Sequence, residues 1–228
     1  MRKGLIIVSL LIIVMTIVTN LFLPNFISFT LHSYLKNTMQ AHNINGEIEV
    51  HPSFMIAAGD IDKIVYTADT AVIGNTEVHN LSLVGENIQL DMPSLVKKQF
   101  KINSAKNIKI SCTIDNKSLE KLLARRISKV QDVHVNIMPK FVMVKAAIPL
   151  LGNKISAEMR GHLYTKGGNI YFKIAELDVE NDFLGKISLN KMENVLLVDR
   201  NKLPFDAKID SVVQKENEIA IVANAHKE

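Results

Sequence analysis

The chain has 228 residues, 47% hydrophobic and 22% charged, a balance that suits a folded chain and excludes general disorder. A formal charge of +4 over that length, with no tryptophan and no Lys/Arg run longer than a pair, argues against a nucleic-acid groove or an aromatic sugar platform. Cys112 is the single cysteine, so an internal disulfide is excluded.

In chain order, Arg2 and Lys3 precede an apolar stretch from Leu5 to Leu23, interrupted by Ser9, Thr16, Thr19 and Asn20. At about 1.5 Å per residue, roughly 20 residues reach across a hydrocarbon core of about 30 Å, so residues 1–23 are expected to form a transmembrane helix. The basic pair in front predicts an N-terminus in the cytoplasm and a main domain delivered outside it. No alanine occurs before Ala41, and the stretch ends Asn20-Leu21-Phe22-Leu23-Pro24. An uncleaved signal anchor is therefore expected rather than a cleaved signal peptide. Lys3-Gly4-Leu5 is similar to a type IV pilin leader, but Ser9 stands where that family carries glutamate.

Residues 24–43 predict a linker helix: Ile27, Leu31, Tyr34, Leu35 and Met39 make one apolar stripe, and Pro24 suits a first turn. After Gly46 the apolar period changes to two. Short strand-like runs are separated by Gly59-Asp60, Gly74-Asn75 and Gly85-Glu86-Asn87, each read as a turn. Asp91 to Ser94 opens a short helical patch with Leu95, Val96 and Phe100 as its apolar contacts, and Ala105 to Thr113 reads as a strand that buries Cys112. Asp115 caps a second helix whose apolar face is Leu119, Leu122, Leu123, Ile127 and Val130. Alternation resumes at Val133 and continues to Ala223, with Met138-Pro139-Lys140 and Gly167-Gly168-Asn169 as turns and Met192 to Val198 as a short helix or strand. The expected fold is α+β, a curved antiparallel β-sheet with one or two packed helices, preceded by the transmembrane helix. Residues 44–228 form its main domain.

The residues offer no catalytic constellation. The histidines at 32, 42, 51, 79, 134, 162 and 226 have no metal-ligand spacing, and neither a nucleophile elbow nor a phosphate loop occurs. Asp60/Asp62 and Asp178/Glu180 each place two acids on one strand face, which solvent exposure explains without chemistry. The expectation is of no enzyme, no cofactor, no metal and no nucleic acid.

The order of several weak motifs resembles the LmeA-like phospholipid-binding proteins of the bacterial envelope. The residues that carry it are Gly46-Glu-Ile-Glu-Val50, Pro52-Ser-Phe54, Gly59-Asp-Ile-Asp-Lys-Ile64, Ile114-Asp115 with Leu119, Leu122 and Leu123, Leu151-Gly152, Arg160-Gly161 and Leu203-Pro204-Phe205. The resemblance implies an extracytoplasmic lipid-binding domain over 44–228, with phospholipid and a membrane as partners. A curved sheet crossed by a helix can leave an apolar concavity. Its expected wall residues are Phe141, Met143, Leu150, Leu151 and Phe172, each equally suited to fill a core. Phe183 and Leu184 are the expected loop tip, with Lys173, Lys186 and Lys191 near enough to attract anionic headgroups. The competing expectation is a membrane-anchored structural or adaptor module that holds an envelope protein by an exposed sheet edge. An open apolar groove of roughly several hundred Å3 would favour the lipid binder, and a dry packed core the adaptor.

Overall fold

The computed structural model describes residues 2–17, 21–127, 130–150, 153–181, 185–190 and 194–227. The chain divides into two compact units, Met1–Asp69 with Ser82–Lys109 and His226–Glu228, and Thr70–Leu81 with Ile110–Ala225.

The first unit opens with helix α1, Arg2–Ile17, whose large side chains from Ile6 to Ile17 are 45–64% exposed. An apolar surface of that kind is one a folded chain ordinarily covers. Helix α2, Leu23–Thr38, has Pro24 in its first turn and buries Ile27, Leu31 and Leu35, with Met39 buried at its C-cap. The stripe read from its spacing is thus its packed face. Strand β1 is Asn45–Glu49, and a 3-10 turn over Ser53–Ala58 leads to β2, Asp60–Ile73. The Tyr66 hydroxyl of β2 meets Ser28 Oγ of α2 at 2.7 Å. Strand β3, Thr76–Leu90, is followed by the short helix α3, Met92–Val96, and by β4, Ile102–Asp115. Asp91 caps α3 by accepting from the Ser94 N–H at 3.0 Å. Besides α2, large buried side chains of this unit come from the 3-10 turn (Ile56), β2 (Ile61, Ile64, Tyr66), β3 (Leu83, Ile88, Leu90), α3 (Leu95) and β4 (Ile102, Ile108).

The second unit contains helix α4, Asn116–Arg126, capped by Asp115, which accepts from the Ser118 N–H at 2.8 Å. Its Leu119, Leu122 and Leu123 are buried, as their helical spacing requires. There follow β5 (Gln131–Ile137), β6 (Val142–Leu150), β7 (Asn153–Lys166), β8 (Asn169–Asn181), β9 (Gly185–Asn190) and β10 (Asn194–Val198). The last strands are β11, Lys208–Gln214, and β12, Glu218–Lys227. Gly167 and Gly168 both take positive φ (61° and 79°), the backbone that joins β7 to β8 by a two-residue hairpin. One sheet has the order β1-β2-β3-β4-β12-β11; the other runs β10-β8-β7-β6-β5, with β9 also on β8. The fold is α+β with a curved antiparallel sheet and few helices.

Three expectations are corrected. The first is the transmembrane helix over residues 1–23. Among the described residues no helix is long and apolar enough to cross a membrane. The 16 described residues of α1 account for about 24 Å of the roughly 30 Å a spanning helix needs. Beyond Leu23 the chain is in α2, whose apolar stripe is spent on packing. The expected single-pass topology, with a cytoplasmic N-terminus and a main domain outside, loses its support with that helix. Second, Gly85-Glu86-Asn87 is not a turn. Strand β3 runs through it, and Asn87 takes the left-handed conformation (φ 47°) inside the strand. Asparagine tolerates that conformation where a β-branched residue would not. Third, Val96 is 75% exposed rather than a packed contact, whereas Leu95 is buried.

Candidate functional site

An edge strand presents a row of backbone N–H and C=O groups that another chain can pair with. The first sheet has β1 and β11 at its edges; the second has β5 at one side and, at the other, β10 and β9, which both pair with β8. On β5, the Val135 N–H donates to Glu120 Oε1 at 2.9 Å and the Ile137 N–H to Asn116 Oδ1 at 2.9 Å, both acceptors from α4. On β10, the Leu197 carbonyl accepts from Arg126 Nη2 of the same helix at 3.1 Å. Five strands laid flat would separate β10 from β5 by about 19 Å. Helix α4, about 16 Å long, thus bonds to β5 near its start and to β10 through Arg126 at its end. On β11, the Ile209 N–H donates to the Gly168 carbonyl at 3.2 Å. Gln214 at its end accepts from the Leu163 N–H at 2.7 Å and donates to the Met138 carbonyl at 3.3 Å.

Strand β1 differs. Among the described residues no group caps it on the side away from β2. It pairs antiparallel with β2, Glu47 opposite Val65 and Ile48 opposite Ile64. Asn45, Glu47 and Glu49 share one face and Gly46 and Ile48 the other. The Tyr66 ring lies against Gly46, in the space a side chain there would need. Beside the strand is a shallow concavity of about 270 Å3 lined by Asn45, Gly46, Glu47, Val65 and Thr67.

Other groupings were candidates by residue type. Asp60 and Asp62 border a second concavity of about 280 Å3 with Asn87, Gln89 and Ser104. Its polar groups are engaged locally: Asp62 accepts from the His51 N–H at 2.5 Å, and Gln89 donates to the Ala58 carbonyl at 2.7 Å. Among the described residues no three His, Cys, Asp or Glu side chains are grouped to hold a metal ion.

Ser118, His79 and Asp115 bring together the residue types of a hydrolytic triad, a grouping not visible from sequence spacing. The same His79 Nε2 lies 3.5 Å from Ser118 Oγ and 3.6 Å from Asp115 Oδ2. A relay needs the base to face the nucleophile with one nitrogen and the carboxylate with the other. Burial works against ionisation of Asp115, but the Ser118 N–H and hydroxyl and the His79 ring outweigh it and hold its carboxyl below the usual carboxylate range. The cluster is a helix cap.

The second unit also holds a small apolar cavity of about 30 Å3 lined by residues of β2, β3 and β4, β8 and β10, and β11 and β12, and by Leu203 and Pro204. That volume is an order of magnitude below the roughly 300 Å3 at which ligand pockets begin. Cys112 is one of its walls, and burial pushes the thiol up to about 12. Native Cys112 is therefore expected to react with a disulfide reagent at pH 8 at least about 100-fold more slowly than a free thiol, and at full rate in denaturant. Because the folded value lies above the ordinary 9.0, the stability held by the neutral thiol is intact below pH 9 and is lost as the pH rises from there towards 12. Equal rates in native and denatured protein would place the thiol at the surface.

The expected lipid-wall residues do not form one wall. Phe172 is fully buried in β8, on the face of Leu163, Gly161 and Val142. Met143 pairs with Arg160 on the opposite face and is half-buried, as is Phe141 just before β6. Leu150 ends β6 opposite Asn153, and Leu151, Phe183 and Leu184 lie outside the described residues. The expected function of a membrane-tethered phospholipid binder, or of a module anchored in that way, is thus corrected. No described helix spans a membrane, and the apolar cavity is about 30 Å3.

What the fold and its surfaces define is an α+β chain whose edge strand β1, among the described residues, carries no cap on the side away from β2. Comparison with models of protein families, with curated proteins and with solved structures found no match.

Proposed function

We propose that this chain is a protein-interaction module that takes an extended peptide as an added strand along β1. The observation that carries this reading is the contrast between edges: β5, β10 and β11 each have backbone groups engaged by specific hydrogen bonds, and β1 among the described residues does not. Main-chain bonds supply affinity in strand addition, and alternate side chains supply selectivity. The face of Asn45, Glu47 and Glu49 is acidic, and Glu49 is engaged with Lys63 at 3.7 Å, leaving the exposed Glu47 to meet the incoming strand. The other face offers Ile48. The preferred peptide therefore alternates Lys or Arg with a β-branched apolar residue. The role is one of binding rather than catalysis, in keeping with a Ser-His-Asp cluster that lacks relay geometry.

The test is titration of a labelled Lys-Val alternating peptide, read by fluorescence anisotropy and by amide hydrogen exchange. Protection is expected at Asn45–Glu49, and Glu47→Lys should weaken binding about tenfold while leaving the circular dichroism unchanged. Binding without protection at β1, or unchanged affinity in the variant, would remove the edge from the account.

A further inference from the structure

We infer that the second unit holds an internal site for one small neutral molecule, apolar except for a single hydrogen-bonding atom, seated on the Thr76 hydroxyl. The inference is independent of the reading of β1, a strand of the other unit.

Buried hydroxyls are almost always paired, and in strands and helices threonine commonly finds a nearby carbonyl. The buried Thr30 does so, donating to the Phe26 carbonyl at 2.8 Å. Thr76 is 3% exposed, and its Oγ1 is the buried side-chain polar atom that has no hydrogen-bond partner among the described residues. Thr76 also lines the cavity of about 30 Å3, whose other walls include Ile73, Val78, Ile110, Cys112 and Ile170. An unsatisfied hydroxyl and a small apolar cavity therefore coincide.

The chemistry of the walls selects the guest. A buried water keeps its place by making about three hydrogen bonds. Here the aliphatic walls offer one hydroxyl and a thiol that burial keeps protonated. Water is a poor occupant of such a site, and an ion a worse one. A molecule of two or three heavy atoms with one oxygen satisfies Thr76 and places its carbons against isoleucine. A short-chain alcohol is the class that fits. The size also caps the affinity: so few atoms bind no more tightly than the millimolar range. Leu203 and Pro204, which also line the cavity, are half-exposed and so place it next to the surface. The next two residues, Phe205 and Asp206, both take positive φ (59° and 57°), a conformation that bulky side chains adopt when the surroundings hold it.

The experiment uses the full chain with 13C-labelled isoleucine methyls, titrated separately with ethanol and with xenon. Ethanol is expected to give saturable shifts at Ile73, Ile110 and Ile170. Thr76→Val, which keeps the shape and removes the hydroxyl, should weaken ethanol about tenfold or more, while Thr76→Ser stays near wild type. Xenon, which needs only the space, should shift the same methyls in all three proteins and so also reports that the cavity is intact. Equal ethanol affinity in wild type and Thr76→Val would overturn the proposal. So would cavity methyls that respond to neither probe, or an ordered water on Thr76 that ethanol does not displace.

Discussion

Phe172→Ala is expected to lower the stability of the second unit by about 3–5 kcal/mol, the range for removing a buried phenylalanine and leaving a cavity. Phe172 is 0% exposed and heads the largest fully buried side chains. It lies in β8, opposite Leu163 on β7 and Val195 on β10, so both neighbouring strands would lose a contact. Its ring also occupies the space above Gly161, where a side chain would meet ring carbons and the Lys173 carbonyl. The glycine and the phenylalanine are therefore complementary: Gly161→Ala should also destabilise, by overpacking rather than by a void. Domains of this size are stable by only about 5–15 kcal/mol, so Phe172→Ala should shift the denaturant midpoint far and raise the unfolded fraction at 37 °C. A change below about 1 kcal/mol would mean that the ring contributes little to the core.

The second large effect concerns the guarding of β5. The double variant Asn116→Ala, Glu120→Ala removes the acceptors of the Ile137 and Val135 N–H groups. Leaving a buried donor unpaired costs about 1–3 kcal/mol, so the pair should cost about 2–4 kcal/mol where water repays part of the loss. The more telling readout is association. With its caps gone β5 becomes an open edge, and the variant should dimerise or aggregate in sedimentation velocity at concentrations where wild type is monodisperse. Asn116→Asp, which keeps an acceptor, should restore most of the behaviour. Lys117→Ala, on the exposed face of α4, should change neither property. A double variant that remains monodisperse and stable would show that α4 does not guard this edge.

The contrast between these side chains and β1 explains why the fold was more legible than the site. Local periodicity and local capping depend on neighbours within about four residues. That is why Ile27, Leu31 and Leu35 could be read as the buried face of α2, Asp115 as the cap of α4, and Gly167-Gly168 as a hairpin. The same logic failed at Gly85-Glu86-Asn87, where turn-forming residues are carried inside a long strand because pairing on both sides overrides local preference. It failed at residues 1–23 because an apolar run suits a packed face as well as a bilayer: from Leu23 the chain is in α2, whose Ile27, Leu31 and Leu35 pack on their own unit.

The chain by itself determined the α+β class, the two amphipathic helices, the burial of Cys112 and the lack of any local catalytic motif, all of which follow from spacing over a few residues. Only the tertiary structure decided which surfaces are available. Glu120 reaches Val135 and Arg126 reaches Leu197 across 15 and 71 positions, and Ile209 bonds to Gly168; through them β5, β10 and β11 are engaged, while β1 among the described residues is not. The isolation of Thr76 is of the same kind. Whether a hydroxyl finds a partner depends on what β4, β8 and the Leu203-Pro204 segment bring to its side, and no pattern along β3 encodes that.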